Sequence, residues 1–403
     1  MKILKGNILI LIIAVIILSD ISSDIYLPSL PKISDFFAVD HTIAQLTISL
    51  NLAGISISGL FYGPLSDYYG RRPIMLLGVG IFMLASVACC FANNIIVLII
   101  MRFVQGFGAG VAGVVGYAII KDIYSGSECA KNISIVNMAV AFSPVLGPIL
   151  GSAIIAHGYH WNVLFITISI MAILVLGCLF VFLKETIILE KIDSKISFLS
   201  IMRKYKELIL NIRFCGFALI QSLTIMWIWS CIANLPFIFV KDMGVPVSYY
   251  GYFVAINVAA YIVGAILNQR FVERFGINNM LLLGLILTTL SDMSVFILYQ
   301  MLEITPLLAE IMWIPSGVGI AFILGNNMTA AFSEIRESGI GSAFILFLQT
   351  IFGALGIYIL GCFYDGTLIP VILFPIICSI ICIVIYVLLR MSDKDNKSEL
   401  ISL

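Results

Sequence analysis

An all-α membrane protein, with twelve transmembrane helices in two pseudo-symmetric bundles of six, is the fold class this sequence predicts. Three observations predict it. Of 403 residues, 61% are apolar and 11% charged, less than half the roughly 25% charged share of soluble domains. Apolar runs of about 20 residues, the length that crosses the hydrocarbon core of a bilayer, recur twelve times. A polar stretch divides those runs six and six.

The first span, 7–28, follows Lys2 and Lys5 like the apolar region of a signal peptide. It lacks a small-residue cleavage site, so it is expected to be retained. The second, 42–62, ends at Gly63-Pro64, and the third, 74–92, begins after Arg71-Arg72-Pro73. The fourth, 95–119, holds the single charge Arg102, and the fifth, 132–156, contains Pro144 and Pro148. The sixth, 161–183, stops at Lys184, and the seventh, 213–236, runs from Arg213 to Pro236. The eighth, 248–268, gives way to Arg270, and the ninth, 280–300, contains Asp292. The tenth, 306–327, holds Glu310, and the eleventh and twelfth cover 340–362 and 368–390.

The expected organisation is a six-helix bundle over 1–183, a linker over 184–211, a second bundle over 212–392 and a tail over 393–403. Within the linker, Phe198, Ile201, Met202, Tyr205, Leu208 and Ile209 share one helical face, the pattern of an amphipathic helix lying on a membrane surface. With the N-terminus inside, every Lys and Arg except Lys32, Lys241 and Arg102 falls on the cytoplasmic side. This excess is what the positive-inside rule demands, and it places both termini in the cytoplasm. The halves echo each other. Asp67-Tyr-Tyr-Gly70 follows the second span and Glu273-Arg-Phe-Gly276 follows the eighth at the same spacing. Such repeats are common in secondary transporters, with substrate held between the halves.

The net charge of zero argues against nucleic acid as a partner. Nine cysteines show no CxxC pairing and do not combine with His41, His157 or His160 at metal spacing, so neither a metal nor a disulfide is expected. No cofactor is expected. There is no phosphate loop, nucleophile elbow or His-rich motif, so the chain is not expected to be an enzyme.

Polar residues inside spans are costly and therefore informative. Ser19, Asp20, Ser23 and Asp24 form one stripe on the first span. An ionised carboxylate facing lipid costs several kcal/mol, so the stripe should face water or other helices. Two close carboxylates should also titrate in coupled steps, as proton binding would need. A polar packing stripe, or a cap at the outer end of the span, is the alternative. Arg102 lies too deep in the fourth span for a loop charge and needs buried acceptors, for which an aspartate on a neighbouring helix is the natural candidate. Asp292 has no assigned role and Glu310 is expected to reach the outer surface, with a second proton site at either residue as the alternative. The fourth-span glycines, Gly106, Gly108, Gly110, Gly113 and Gly116, read as close helix packing.

Five motifs carry a resemblance to a family. Gly63-Pro-Leu-Ser-Asp67-Tyr-Tyr-Gly70-Arg71-Arg72-Pro73 resembles the loop signature of the major facilitator superfamily. Leu98-Ile-Ile-Met-Arg102-Phe-Val-Gln105-Gly106 is similar to its fourth-helix arginine motif. Ser143-Pro144-Val-Leu-Gly147-Pro148-Ile-Leu-Gly151 resembles its fifth-helix antiporter motif. Asp24-Ile-Tyr26-Leu-Pro28-Ser-Leu-Pro31, with Leu183-Lys-Glu185-Thr186, looks like the bicyclomycin/chloramphenicol branch of drug–proton antiporters. Two departures are Trp161-Asn162, where many members have Trp-Arg, and Ile16, where some multidrug members carry an acid.

The resemblance implies a monomer in the bacterial inner membrane that exchanges protons for small lipophilic molecules or drugs by alternating access. A dedicated exporter of one metabolite or siderophore, and a proton-coupled importer, are the alternatives on the same fold. Asp24, Asp20 and Arg102 would couple protons, with Arg102 favouring proton release. Gly63, Asp67, Gly70, Arg71 and Arg72 would form a cytoplasmic gate, with Asp67 meeting the start of the eleventh span near Ser338-Gly339-Ile340-Gly341. Gly63 and Gly70 would permit close approach and a tight turn there. Pro144, Gly147, Pro148 and Gly151 would seal the path against proton leak; plain curvature of the fifth helix is the alternative. Tyr26, Tyr117, Asn137, Met138, Trp227, Trp229 and Asn234 are candidates for an adaptable, largely apolar substrate wall.

Overall fold

The computed structural model describes residues 2–187, 206–302, 304–335 and 338–402. The amphipathic face expected in the linker, Phe198 to Tyr205 above all, lies outside the described residues. Among the described residues, twelve helical spans have the length and apolar content to cross a bilayer: Ile8–Phe37, His41–Tyr69, Arg71–Cys90, Ile95–Ile123, Gly126–Ala156, Asn162–Phe182, Ile212–Asp242, Val247–Phe275, Ile277–Met301, Pro306–Ser333, Ile340–Phe363 and Ile369–Met391. They coincide one for one with the twelve expected runs. The last helix continues to Ser402, through most of the stretch expected as a tail.

Local chemistry sets several span ends. Asn94 caps the fourth span by accepting the Val97 N–H at 2.8 Å. Thr305 accepts the Leu308 N–H at the head of the tenth, with Pro306 in the first turn, where its missing N–H costs nothing. Gly70 and Gly276 stand at φ +100° and +80°, each forming the single-residue break between two helices. The left-handed region favours glycine, so the echo between the halves is the same tight turn made twice.

The first span is longer than its apolar run because it does not end at its prolines. It is helical to Asp24, tightens into a 3₁₀ turn over Leu27–Ser29, and resumes from Leu30 to Phe37. Pro28 and Pro31 have no N–H to continue a regular ladder, which accounts for the interruption. The fifth span, by contrast, stays helical through Pro144 and Pro148.

The chain divides into two compact units: Met1–Lys195 with Ile232–Val254, and Ile196–Cys231 with Ala255–Leu403. In the first unit a core gathers Ile12, Val15, Ile16, Met75, Val111, Val115, Ile119 and Leu179. There the fourth span lies close to the second and third. A Cβ on Gly106 would collide with the Asn51 carbonyl, and one on Gly108 would lie 2.7 Å from the Gly78 carbonyl. Ile232–Val254 joins this unit through polar and close contacts. Gln45 Nε2 donates to Asn234 Oδ1 at 2.8 Å, Lys241 pairs with Asp35 at 2.9 Å, and Gly251 lies against the Ile149 backbone. The second unit packs Phe214, Trp227, Leu281, Leu285, Ile323, Ile345 and Tyr386 together. Rows of exposed apolar residues, such as Leu84, Ile173, Phe180, Leu290 and Leu388, suit lipid and not water.

Candidate functional site: a buried carboxyl and an arginine network

Asp24 ends the first helix of the first span and is 7% exposed. Ser143 Oγ of the fifth span donates to its Oδ2 at 2.8 Å. The approach is this close because two glycines leave room. A Cβ on Gly147 would collide with Asp24 Cβ and stand 3.0 Å from the Ile25 nitrogen, and one on Gly151 would strike the Ile25 carbonyl. The fifth-helix motif is thus a slot fitted to Asp24-Ile25, with Ser143 as its hydrogen-bond donor.

Arg102 is fully buried, and its acceptors are not the aspartates. Its Nη1 donates to Gln105 Oε1 at 2.6 Å and to the Ser22 carbonyl at 3.4 Å, and its Nε donates to the Thr47 carbonyl at 3.3 Å. The guanidinium lies 4.8 Å from the Tyr26 ring centroid and 5.8 Å from that of Phe165. Among the described residues it forms no ion pair. Carbonyl dipoles, one amide and two aromatic faces replace the carboxylate that the isolated span calls for. The aspartate is absent because Asp24 turns to the fifth span while Arg102 turns to the second.

Around Arg102 the polar groups form a chain. Ser23 Oγ donates to Asn51 Oδ1 at 3.0 Å, and Asn51 Nδ2 donates to the Arg102 carbonyl at 2.9 Å. Gln105 Nε2 donates to Ser86 Oγ at 2.7 Å, and Tyr26 OH donates to Thr47 Oγ1 at 3.0 Å. Four spans are tied through these bonds. Asn51, Thr47 and Ser86 escaped the sequence reading, although buried polar residues in apolar spans are themselves a signal.

The candidate wall residues separate into groups. Tyr117 OH donates to Asn137 Oδ1 at 2.7 Å, and Met138 beside it is 59% exposed. Asp20, one turn before Asp24, lies within electrostatic reach of Tyr117. Tyr26 is closed off beneath Arg102, and Trp227 belongs to the core of the second unit. Trp229 packs over Gly353, and Asn234 accepts from Gln45.

The loop signature forms a polar clamp. Arg71 pairs with Asp67 and, at 3.0 Å, with Asp122, and donates to Ser66 Oγ at 2.7 Å. Glu185 accepts the N–H groups of Arg71 at 2.9 Å and Arg72 at 3.1 Å, so a carboxylate from beyond the sixth span caps the third helix. Arg72 donates to the carbonyls of Leu183 and Phe180 at 2.7 and 3.0 Å. A Cβ on Gly70 would strike Glu185, so that glycine serves both the turn and the clamp. Gly63 does not mark a close approach: a Cβ there would meet Val114 at 3.7 Å, an ordinary contact. The Ser338 and Gly339 side of the expected Asp67 contact lies outside the residues whose side chains are described.

Glu310 does not reach the surface. It is fully buried, as is Asp292 at 2% exposure. The expectation placed Glu310 close to the head of its span without the neighbouring helices that cover it. Among the described residues, no three His, Cys, Asp or Glu side chains gather as a metal site.

Comparison with known proteins places these features in context. The model of the Major Facilitator Superfamily matches residues 12–357. The chain is 29% identical to a bicyclomycin resistance protein homolog of Haemophilus influenzae, over 75% of this chain and 74% of that one. It is 30% identical to the multidrug resistance protein MdtL of a Shewanella species, over 84% of each. Its fold is shared with the xylose transporter XylE of E. coli in a partially occluded inward open form, at TM-score 0.71 and 14% identity, over 96% of this chain and 99% of that one.

Proposed function

The chain belongs to the major facilitator superfamily, and we propose that it is a proton-coupled antiporter that exports small lipophilic molecules or drugs by alternating access. It is a multi-pass membrane transporter with drug-resistance relatives. The bacterial inner membrane, both termini cytoplasmic, and action as a monomer complete the proposal.

One observation carries the coupling. Asp24 is a buried carboxyl that accepts from the neutral Ser143 hydroxyl, and it sits in a slot built of glycine. Burial without a counter-cation favours the neutral acid, so ionising Asp24 requires a change of surroundings. Such linkage between protonation and conformation is what antiport needs. Arg102, 0% exposed and held by neutral acceptors, is the positive charge on the same four-span network that an ionised first span would favour. Tyr117, Asn137 and Met138, the least enclosed candidates, are proposed to contact the transported molecule. The Asp67–Arg71–Glu185 clamp is proposed to hold the cytoplasmic gate. The membrane potential contributes about 2.3 kcal/mol per charge per 100 mV to export.

Everted vesicles with an imposed pH gradient, acid inside, test the direction. Radiolabelled chloramphenicol should accumulate in the lumen as protons leave. Accumulation with the gradient reversed would mean symport, and accumulation indifferent to the gradient would remove proton coupling.

A further inference from the structure

A second pair of buried acids lies in the other compact unit, on spans that contribute nothing to the Asp24 slot. Asp292 is on the ninth span and Glu310 on the tenth, 2% and 0% exposed. The two spans pack along their length, with Ser291 Oγ donating to the Met312 carbonyl at 2.8 Å. Ser316 of the tenth span is the hydrogen-bond partner of Asp292, and Asn257 Nδ2 of the eighth donates to Glu310 Oε2. Cys231 of the seventh span lies within electrostatic reach of both acids and of Cys378 on the twelfth. Four helices thus converge on the two carboxyls.

Each carboxyl keeps one oxygen with no partner: Asp292 Oδ2 and Glu310 Oε1 are both enclosed and unbonded. The groups facing them, Ser316, Asn257 and Cys231, are neutral. No ion pair among the described residues includes either acid. The described arginines of this unit, Arg213, Arg270, Arg274 and Arg390, lie near span ends. A bare ionised carboxylate in such a place forfeits its hydration and gains no counter-charge, whereas a neutral acid leaves only one O–H donor unpaired, a far smaller cost. A free oxygen on each group is where that proton sits.

We propose that Asp292 and Glu310 form a second proton-binding site, separate from Asp24 and occupied by protons in this conformation. The burial is too complete for packing value alone, since apolar residues of similar size would fill the same space without desolvation. A use for the pair in transport rests on the proton-coupled reading; its protonation does not. If both groups release their protons in another state of the cycle, each turnover moves more protons than Asp24 alone supplies.

Infrared spectroscopy of the purified full-length protein in lipid nanodiscs, at pH 7 in potassium buffer, reads the C=O stretch of neutral carboxylic acids directly. Asp292→Asn and Glu310→Gln should each remove one neutral-acid band, and Asp24→Asn should leave both in place. The amides match the neutral acids in shape, so these variants should keep the wild-type thermal midpoint. Should either fail to fold, Asn257→Ala provides a second reading: losing the donor should shift the Glu310 band without removing it. Wild-type bands that neither variant removes and Asn257→Ala does not move would overturn the proposal. So would their loss on adding sodium chloride, which would make the pair a cation site. Drug accumulation by the wild-type protein that is indifferent to an imposed pH gradient would defeat the antiport reading while leaving these bands untouched.

Discussion

Replacing Gly147 by alanine tests whether the fifth span is a slot fitted to Asp24. The added Cβ would collide with Asp24 Cβ and stand 3.0 and 3.1 Å from the Ile25 nitrogen and the Asp24 carbonyl carbon. Carbon atoms rest at about 3.5–4.0 Å, so the first and fifth spans must separate by roughly 1 Å. Overpacking of this kind costs about 1–3 kcal/mol. The separation also stretches the 2.8 Å bond from Ser143 to Asp24 past useful length, adding about 1 kcal/mol. The sum is about 2–4 kcal/mol, read as a lower thermal midpoint by fluorescence-detected size exclusion and as weaker proton-driven chloramphenicol export. Gly80→Ala is the control, because a Cβ there meets nothing within 4 Å and alanine favours helix by about 1 kcal/mol. If Gly147→Ala matched Gly80→Ala in stability and export, the slot would not be what positions Asp24.

Three further perturbations follow from the same geometry. Glu185→Gln leaves one oxygen to serve two N–H groups, those of Arg71 and Arg72. Loss of about 1–2 kcal/mol of capping should speed amide exchange at these residues roughly ten-fold, and unchanged exchange would refute the clamp. Asn51→Ala removes the acceptor of Ser23 and the side-chain donor to the Arg102 carbonyl. It should lower stability by about 1–3 kcal/mol, and a wild-type thermal midpoint would show that the network is not cooperative. Activity-reporter fusions after Lys241 and Arg274 should report outside and inside respectively, and a reversal at either site would overturn the proposed topology.

The spans were legible because hydrophobic length is written locally, and so were the turns at Gly70 and Gly276, where two helices meet at one residue. The family was legible from the fixed spacings in Gly63–Pro73 and Ser143–Gly151. What escaped depends on neighbours that one helix does not name. The helical period shows that Arg102 is buried but not that Gln105, Ser22 and Thr47 would serve it instead of Asp24. It places Glu310 near the head of its span but does not show that Asn257 would cover it. Tyr26 and Trp227 have the chemistry of a binding wall, yet one stacks beneath a guanidinium and the other fills a core. Pro144 and Pro148 of the fifth span read as curvature, and that Gly147 and Gly151 make room for Asp24 and Ile25 shows only when the first span is set against them.

Substrate exchange and proton-driven transport by Asp24→Asn in proteoliposomes bear most directly on the central claim. Asparagine keeps the shape and a hydrogen bond to Ser143 but cannot exchange a proton. The variant should swap labelled for unlabelled chloramphenicol across the membrane at near the wild-type rate when no gradient is imposed. With a pH gradient it should fail to accumulate the drug. Accumulation at the wild-type level would contradict the account and move the coupling site away from Asp24.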